Sequence, residues 1–134
     1  MANKVNYPLD YNPVMEYWNK IESGEEIVSK KIYNLYKYLA YLVNNPGEYF
    51  YSPKRANHIL EFAENYCVIS KGLGAGRHTK LELWEKAHLA AVFGFIDKNC
   101  NRMCRESLMI VGKKNGKSLL DSIVGLYMLI ADGE

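Results

Sequence analysis

The sequence predicts a mainly α-helical chain, with one strand–loop–helix unit close to its C-terminal end. Three observations carry this. Asn12-Pro13 and Ser52-Pro53 read as helix starts. A capping oxygen satisfies an orphan N–H there, and proline at the first helical position has no N–H to satisfy. Val28, Ile32, Leu35, Leu39 and Leu42 recur at spacings of three and four, the period of an amphipathic helix. Finally, the short apolar run 107–111 is followed by a polar loop and then by a second helical stretch.

The elements follow in order. Residues 1–10 read as a loose arm. The first helix starts at Asn12-Pro13 and stops at Ser23-Gly24. The second begins between Glu26 and Ser29 and ends at Asn44-Asn45-Pro46-Gly47, with Tyr33, Tyr36, Tyr38 and Tyr41 widening its stripe. Pro46-Gly47 is a turn signal and marks a boundary between 1–45, a helical leader, and 46–134. Tyr49-Phe50-Tyr51 reads as extended. The third helix opens at Ser52-Pro53 and buries Ala56, Ile59, Leu60, Ala63, Tyr66 and Cys67; Gly72, Gly74 and Gly76 then form a flexible loop. The fourth helix spans 83–96, with Trp84, Ala87, His88, Ala91 and Phe95 on one face, and residues 97–104 form a polar loop. The run 107–111 reads as a buried strand. The final helix, 117–131, is apolar nearly all round and expects cover on several sides.

Composition limits function without assigning it. The chain has 134 residues, 49% of them apolar, which suits one globular domain rather than a disordered tail. A net charge of +2 is not the footprint of a dedicated nucleic-acid module. The start lacks the apolar stretch of a secretory signal, and the run 123–131 is about half the ~20 residues that span a bilayer. Three cysteines, an odd number, fit a reducing compartment. Cys100 and Cys104 have no matching pair of ligands and read as loop cysteines rather than a zinc site. His88 reads as a packed core histidine, the tyrosines as core and rim, and Lys54-Arg55 as a solvated face. Trp84 fits core packing and base stacking equally well.

The segment with chemistry is Leu108-Met109-Ile110-Val111-Gly112-Lys113-Lys114-Asn115-Gly116-Lys117-Ser118-Leu119. A strand enters a polar loop, and Gly-Lys-Ser opens a helix, as in a phosphate-binding P-loop. Loop and first-turn N–H groups converge on one concavity, where the helix dipole adds positive potential. Gly116 lets the backbone approach the phosphates, Lys117 neutralises the β- and γ-phosphates, and the Ser118 hydroxyl is placed to hold Mg²⁺. The strict pattern puts a glycine at position 111, where this chain has Val111.

Several ordered motifs resemble the large subunit of tailed-phage terminases, the ATP-driven motors that package DNA. They are Tyr49-Phe50-Tyr51-Ser52-Pro53-Lys54-Arg55-Ala56 with Glu61-Phe62; Leu81-Glu82-Leu83-Trp84-Glu85 followed by Phe93-Gly94-Phe95; Arg105-Glu106 before the strand; Lys114-Asn115-Gly116-Lys117-Ser118 as a deviant Walker A; and the closing run 126–134. Residues 13–45 resemble the family's N-terminal leader. The family usually lacks the first P-loop glycine. Two positions depart from its pattern. Glu85 stands where the family often has an adenine-reading Gln, and a carboxylate accepts hydrogen bonds but cannot donate. Lys113 stands where the family tends to have an arginine, a point charge in place of a bidentate fork.

The resemblance implies a helical N-terminal region leading into the first strand, P-loop and helix of a P-loop α/β ATPase whose remaining sheet is absent. It implies ATP and Mg²⁺ as cofactors. Lys113, Lys114, Asn115, Gly116, Lys117 and Ser118 would line the nucleotide, and Trp84 and Glu85 would lie on its adenine side. The implied partners are the small terminase subunit, the portal and double-stranded DNA, and the implied location is the cytoplasm of a bacterial host. The acidic strand end that completes a Mg²⁺ site is not recognisable among the 134 residues, nor is a nuclease. The chain therefore reads as an N-terminal fragment that hydrolyses no ATP alone. The alternative is a non-enzymatic helical module for the small subunit or the portal. The strand and last helix, without a sheet, are expected to pair with another copy, repack within the chain or move freely.

Overall fold

The computed structural model describes residues 4–67, 80–104 and 117–130. Five helices and one pair of short strands make up the described fold: α1 (Pro13–Glu22), α2 (Lys30–Asn44), β1 (Phe50–Tyr51), α3 (Pro53–Tyr66), α4 (Leu83–Phe93), β2 (Phe95–Ile96) and α5 (Lys117–Ile130). The glycine loop 72–76, the strand 107–111 and the loop residues Lys113, Lys114, Asn115 and Gly116 lie outside the described residues. So do the side chains of Lys117 and Ser118. Among the described residues no helix is long and apolar enough to cross a membrane.

The helix starts obey local chemistry. Asn12 accepts the Met15 N–H at 3.1 Å, with Pro13 in the first turn of α1. Ser29 accepts the Ile32 N–H at 3.3 Å, and Ser52 the Arg55 N–H at 3.4 Å. Ser23 caps the end of α1, and Gly24 follows at φ +87°, a conformation glycine adopts at little cost.

Two apolar cores share α4. The first gathers Val14, Tyr17, Trp18 and Ile21 of α1 with Tyr36, Leu39 and Ala40 of α2, against Ala87 and Ala90. The second joins Ile59, Leu60 and Ala63 of α3 with Ile123 and Tyr127 of α5, against Leu89 and Phe93. α4 is thus covered on most of its circumference.

β1 and β2 pair antiparallel, Phe50 opposite Ile96 and Tyr51 opposite Phe95. Gly94 makes this possible. A Cβ there would lie 2.5 Å from the Ala90 oxygen, 2.9 Å from the Tyr51 ring and 3.0 Å from the Ala56 Cβ. Its carbonyl also accepts the Ser52 N–H at 2.6 Å. The turn after β2 is held by Asp97, whose carboxylate accepts the Asn99 and Asn101 N–H groups at 2.8 and 3.0 Å. Those bonds, Asn101 first, hold Asp97 below the ordinary carboxylate range.

The structure corrects several expectations. The fourth helix ends at Phe93 rather than near Ile96, because Gly94 lets the chain turn into β2. The buried positions of α4 are Glu85, Ala87, Leu89, Ala90 and Phe93, while Trp84, His88 and Ala91 are half-buried. On α2 the core face is Tyr36, Leu39 and Ala40; Leu35, Tyr33, Tyr38 and Tyr41 are exposed, as is Tyr66 of α3. A stripe four residues wide exceeds what one neighbouring helix can cover. The N-terminal arm, over residues 4–11, is not loose but strapped along α3. Val5 exchanges two hydrogen bonds with the Asn65 amide, at 2.6 and 2.8 Å. The Tyr7 N–H donates to Glu61 at 2.8 Å, and Asn57 donates to the Pro8 carbonyl at 3.0 Å.

Candidate functional site

The sequence places its candidate residues at two helix starts, those of α4 and α5. At α4 the backbone is closed by a reciprocal cap. Glu82 accepts the N–H three residues on, while its own N–H donates to Glu85 Oε1 at 3.0 Å. Glu85 is 8% exposed. Burial raises its pKa above the ordinary carboxylate value; the Glu82 N–H opposes that rise and the Glu82 charge adds to it. One Glu85 oxygen is therefore engaged by its own helix end. Trp84 donates its Nε1–H to Glu82 at 2.8 Å and packs against both cores. The indole is thus fixed in orientation, half in contact and half open.

At α5 the helical backbone begins at Lys117, so Lys117 and Ser118 occupy its first turn. First-turn N–H groups of a helix have no intrahelical acceptor, and the dipole makes that end positive. Free amides at such a helix end suit the oxygens of an anion such as phosphate. α5 is seated through Tyr127, which is 2% exposed. Its hydroxyl lies 2.7 Å from His58 Nδ1, and its ring meets Phe93 and Phe62 edge-on at centroid distances of 5.2 and 5.5 Å.

Sequence reasoning missed a polar cluster beneath the N-terminal arm. The Tyr7 hydroxyl donates to Glu64, its ring stacks on Tyr11 at 4.8 Å, and Lys86 Nζ lies 5.3 and 5.8 Å from the two ring centres. Burial, then Glu64, holds the Tyr7 phenol well above its ordinary pKa; burial, then Glu16, pushes Tyr11 up to about 12. The signal was present: Asn57, Glu61 and Asn65 recur every four residues on α3. A polar stripe at that spacing reads equally as a solvated face. Among the described residues no group of three or more His, Cys, Asp or Glu side chains could hold a metal ion.

These features define the described chain as a mainly helical one carrying a single small antiparallel sheet. Residues 83–134 match the family model of the terminase large subunit, ATPase domain. Over that stretch the chain is similar to part of a terminase large subunit, and the match supports the resemblance read from its motifs. No curated protein and no solved structure matches the chain. The matched stretch opens at the first residue of α4 and includes Trp84, Glu85 and all of 113–118.

Proposed function

We propose that the chain binds ATP with Mg²⁺ as the N-terminal part of a phage terminase large subunit. Its role is then in ATP-driven packaging of double-stranded viral DNA in the cytoplasm of a bacterial host. The observation that supports this best is that one family match takes in both candidate helix starts, Trp84-Glu85 and Gly116-Lys117-Ser118. In this reading 1–45 is a helical leader, and 46–134 begins the ATPase domain with a P-loop α/β unit.

The residues divide the work by their chemistry. Backbone N–H groups of 113–118 converge on the phosphates, with Gly116 permitting close approach. Lys117 neutralises the β- and γ-phosphates, and Lys113 and Lys114 add positive potential at the loop. The Ser118 hydroxyl would hold the metal, and Mg²⁺ would supply charge neutralisation for the phosphates. Trp84, held by Glu82, presents a ring face to the adenine side. Glu85 keeps one carboxylate oxygen for a base amino group while the other closes the cap.

A second reading is favoured by α5, where Leu126, Met128 and Leu129 are exposed. It makes the chain a helical module that docks on the small terminase subunit, the portal or another copy. Calorimetric titration of Mg·ATP into wild type and Lys117→Ala separates the two. Binding that disappears in the variant is expected. Absence of binding in both contradicts the nucleotide reading and leaves the docking module.

A further inference from the structure

The outer face of α2 carries chemistry that neither the cores nor the candidate nucleotide site use. From residue 27 to residue 47 the sequence holds three lysines and no carboxylate. Lys30, Asn34, Lys37, Tyr38 and Tyr41 are all exposed and lie at offsets of 0, 4, 7, 8 and 11, which is one strip along the helix. The strip is about 16 Å long at 1.5 Å of rise per residue. Lys31 stands at its edge. The core is served by the opposite side, where Tyr36 meets Tyr17 edge-on at 4.9 Å. Tyr38 and Tyr41 are 55% and 60% exposed, so their rings are not core residues that happen to reach the surface.

The charge arrangement departs from what a merely solvated helix shows. Solvated helical lysines are commonly balanced by carboxylates three or four residues away. Lys31 and Lys37 have none, Glu26 stands four residues before Lys30 but outside α2, and among the described residues no carboxylate lies within ion-pair distance of the three lysines. Lys30 and Lys31 also sit in the first turn, at the positive end of the helix dipole, where acids are favoured and none occurs. The sequence concentrates positive potential at that end instead of neutralising it. A local rule broken without local compensation marks a surface with an external partner.

We propose that this strip is a contact surface for the sugar–phosphate backbone of double-stranded DNA. Lysine ammonium, tyrosine hydroxyl and asparagine amide are among the groups that hydrogen-bond phosphate oxygens irrespective of sequence. A membrane-binding face would interleave its lysines with aliphatic side chains that insert into lipid; here the residues between Lys30 and Lys37 on the strip are polar or aromatic, and one exposed aliphatic, Leu35, lies at its edge. The surface chemistry stands by itself. The choice of duplex DNA as the polyanion rests on the proposed function.

Fluorescence anisotropy of a short labelled duplex of mixed sequence, titrated with the 134-residue chain over a salt series, tests the inference. Replacing Lys30, Lys31 and Lys37 together by Gln is expected to weaken binding at least about tenfold at low salt. The slope of log affinity against log salt should fall in magnitude by about two to three. An equal charge change elsewhere, Lys54→Gln with Lys80→Gln and Lys98→Gln, is expected to alter affinity less than about twofold. Tyr38→Ala with Tyr41→Ala, which leaves the charge untouched, should cost a further few-fold, with circular dichroism checking that α2 persists. Equal losses in the two lysine triples overturn the proposal, as does absence of duplex binding by wild type at low salt. Tighter binding to single strands or to phosphatidylglycerol vesicles than to duplex overturns it too. Titrating ATP into the same wild-type sample keeps the two readings separate. Duplex binding lost in the α2 triple supports the surface even if ATP does not bind. ATP binding without duplex binding overturns the surface and leaves the nucleotide reading intact.

Discussion

Helices α4 and α5 both carry apolar residues on most of their sides, yet the chain treats them differently. α4 lies between two cores: Ala87 and Ala90 face one, Leu89 and Phe93 the other. Among its described side chains, α5 meets the rest through Ile123, Val124 and Tyr127, and Leu129 is 82% exposed. The contrast shows what all-round hydrophobicity means. It states that a helix expects cover on several sides. It does not state that the cover lies within reach of the same fold. α4 finds its cover locally. α5 is anchored by one aromatic with a polar tip, which holds the C-terminal half of the helix to the body through His58, Phe62 and Phe93.

The contrast can be broken experimentally, starting where the effect is largest. Phe93→Ala removes a ring that lies in the second core and against Tyr127. It is expected to destabilise the chain by about 3–5 kcal/mol in urea denaturation. A cost below about 1 kcal/mol would mean that α4 is not the shared wall of both cores. Tyr127→Phe keeps the ring and deletes the 2.7 Å contact with His58. A loss of about 1 kcal/mol is expected, the usual net worth of one hydrogen bond, and faster hydrogen exchange across α5 should accompany it.

Glu85 offers a smaller effect that depends on pH. Its folded pKa is raised by burial. The stability it contributes is therefore full below its ordinary carboxylate value and is lost as pH rises through the folded value. Glu85→Gln keeps an acceptor for the Glu82 N–H and cannot ionise. The variant is expected to be more stable than wild type near neutral pH and equal to it below about pH 4. Thermal melts at the two pH values check this; a variant less stable at neutrality contradicts the burial argument. The smallest effect belongs to Leu129→Ala, expected within about 0.5 kcal/mol of wild type for the monomer. A larger loss that grows with protein concentration would show that the outer face of α5 is covered by another copy.

Helix starts were legible in the sequence because a cap is a local event. Asn12 and Ser52, read as caps, each bond the backbone three residues on, and Ser29, at the edge of the range expected for the second start, does the same. Which face of a helix turns inward was less legible, since that depends on neighbours far along the chain. Leu35 belongs to the periodic stripe of α2, yet it is exposed because α1 covers only the Tyr36, Leu39 and Ala40 side. The end of α4 hinged on a contact across 43 positions, where Gly94 gives way to the Tyr51 ring. Nothing in 83–96 itself announces that close approach. At the candidate site, the helix start at Lys117 was readable from Gly-Lys-Ser. The engagement of Glu85 in the α4 cap could have been read from its position three residues after Glu82, but the resemblance drew attention to the base instead.

The central claim is that ATP phosphates are received where α5 begins. Hydrogen–deuterium exchange of the 134-residue chain with and without Mg·ATP tests it most directly. Slower exchange of amides 113–120 on adding nucleotide, abolished by Lys117→Ala, is the predicted result. Unchanged exchange there, or protection confined to another part of the chain, would contradict it.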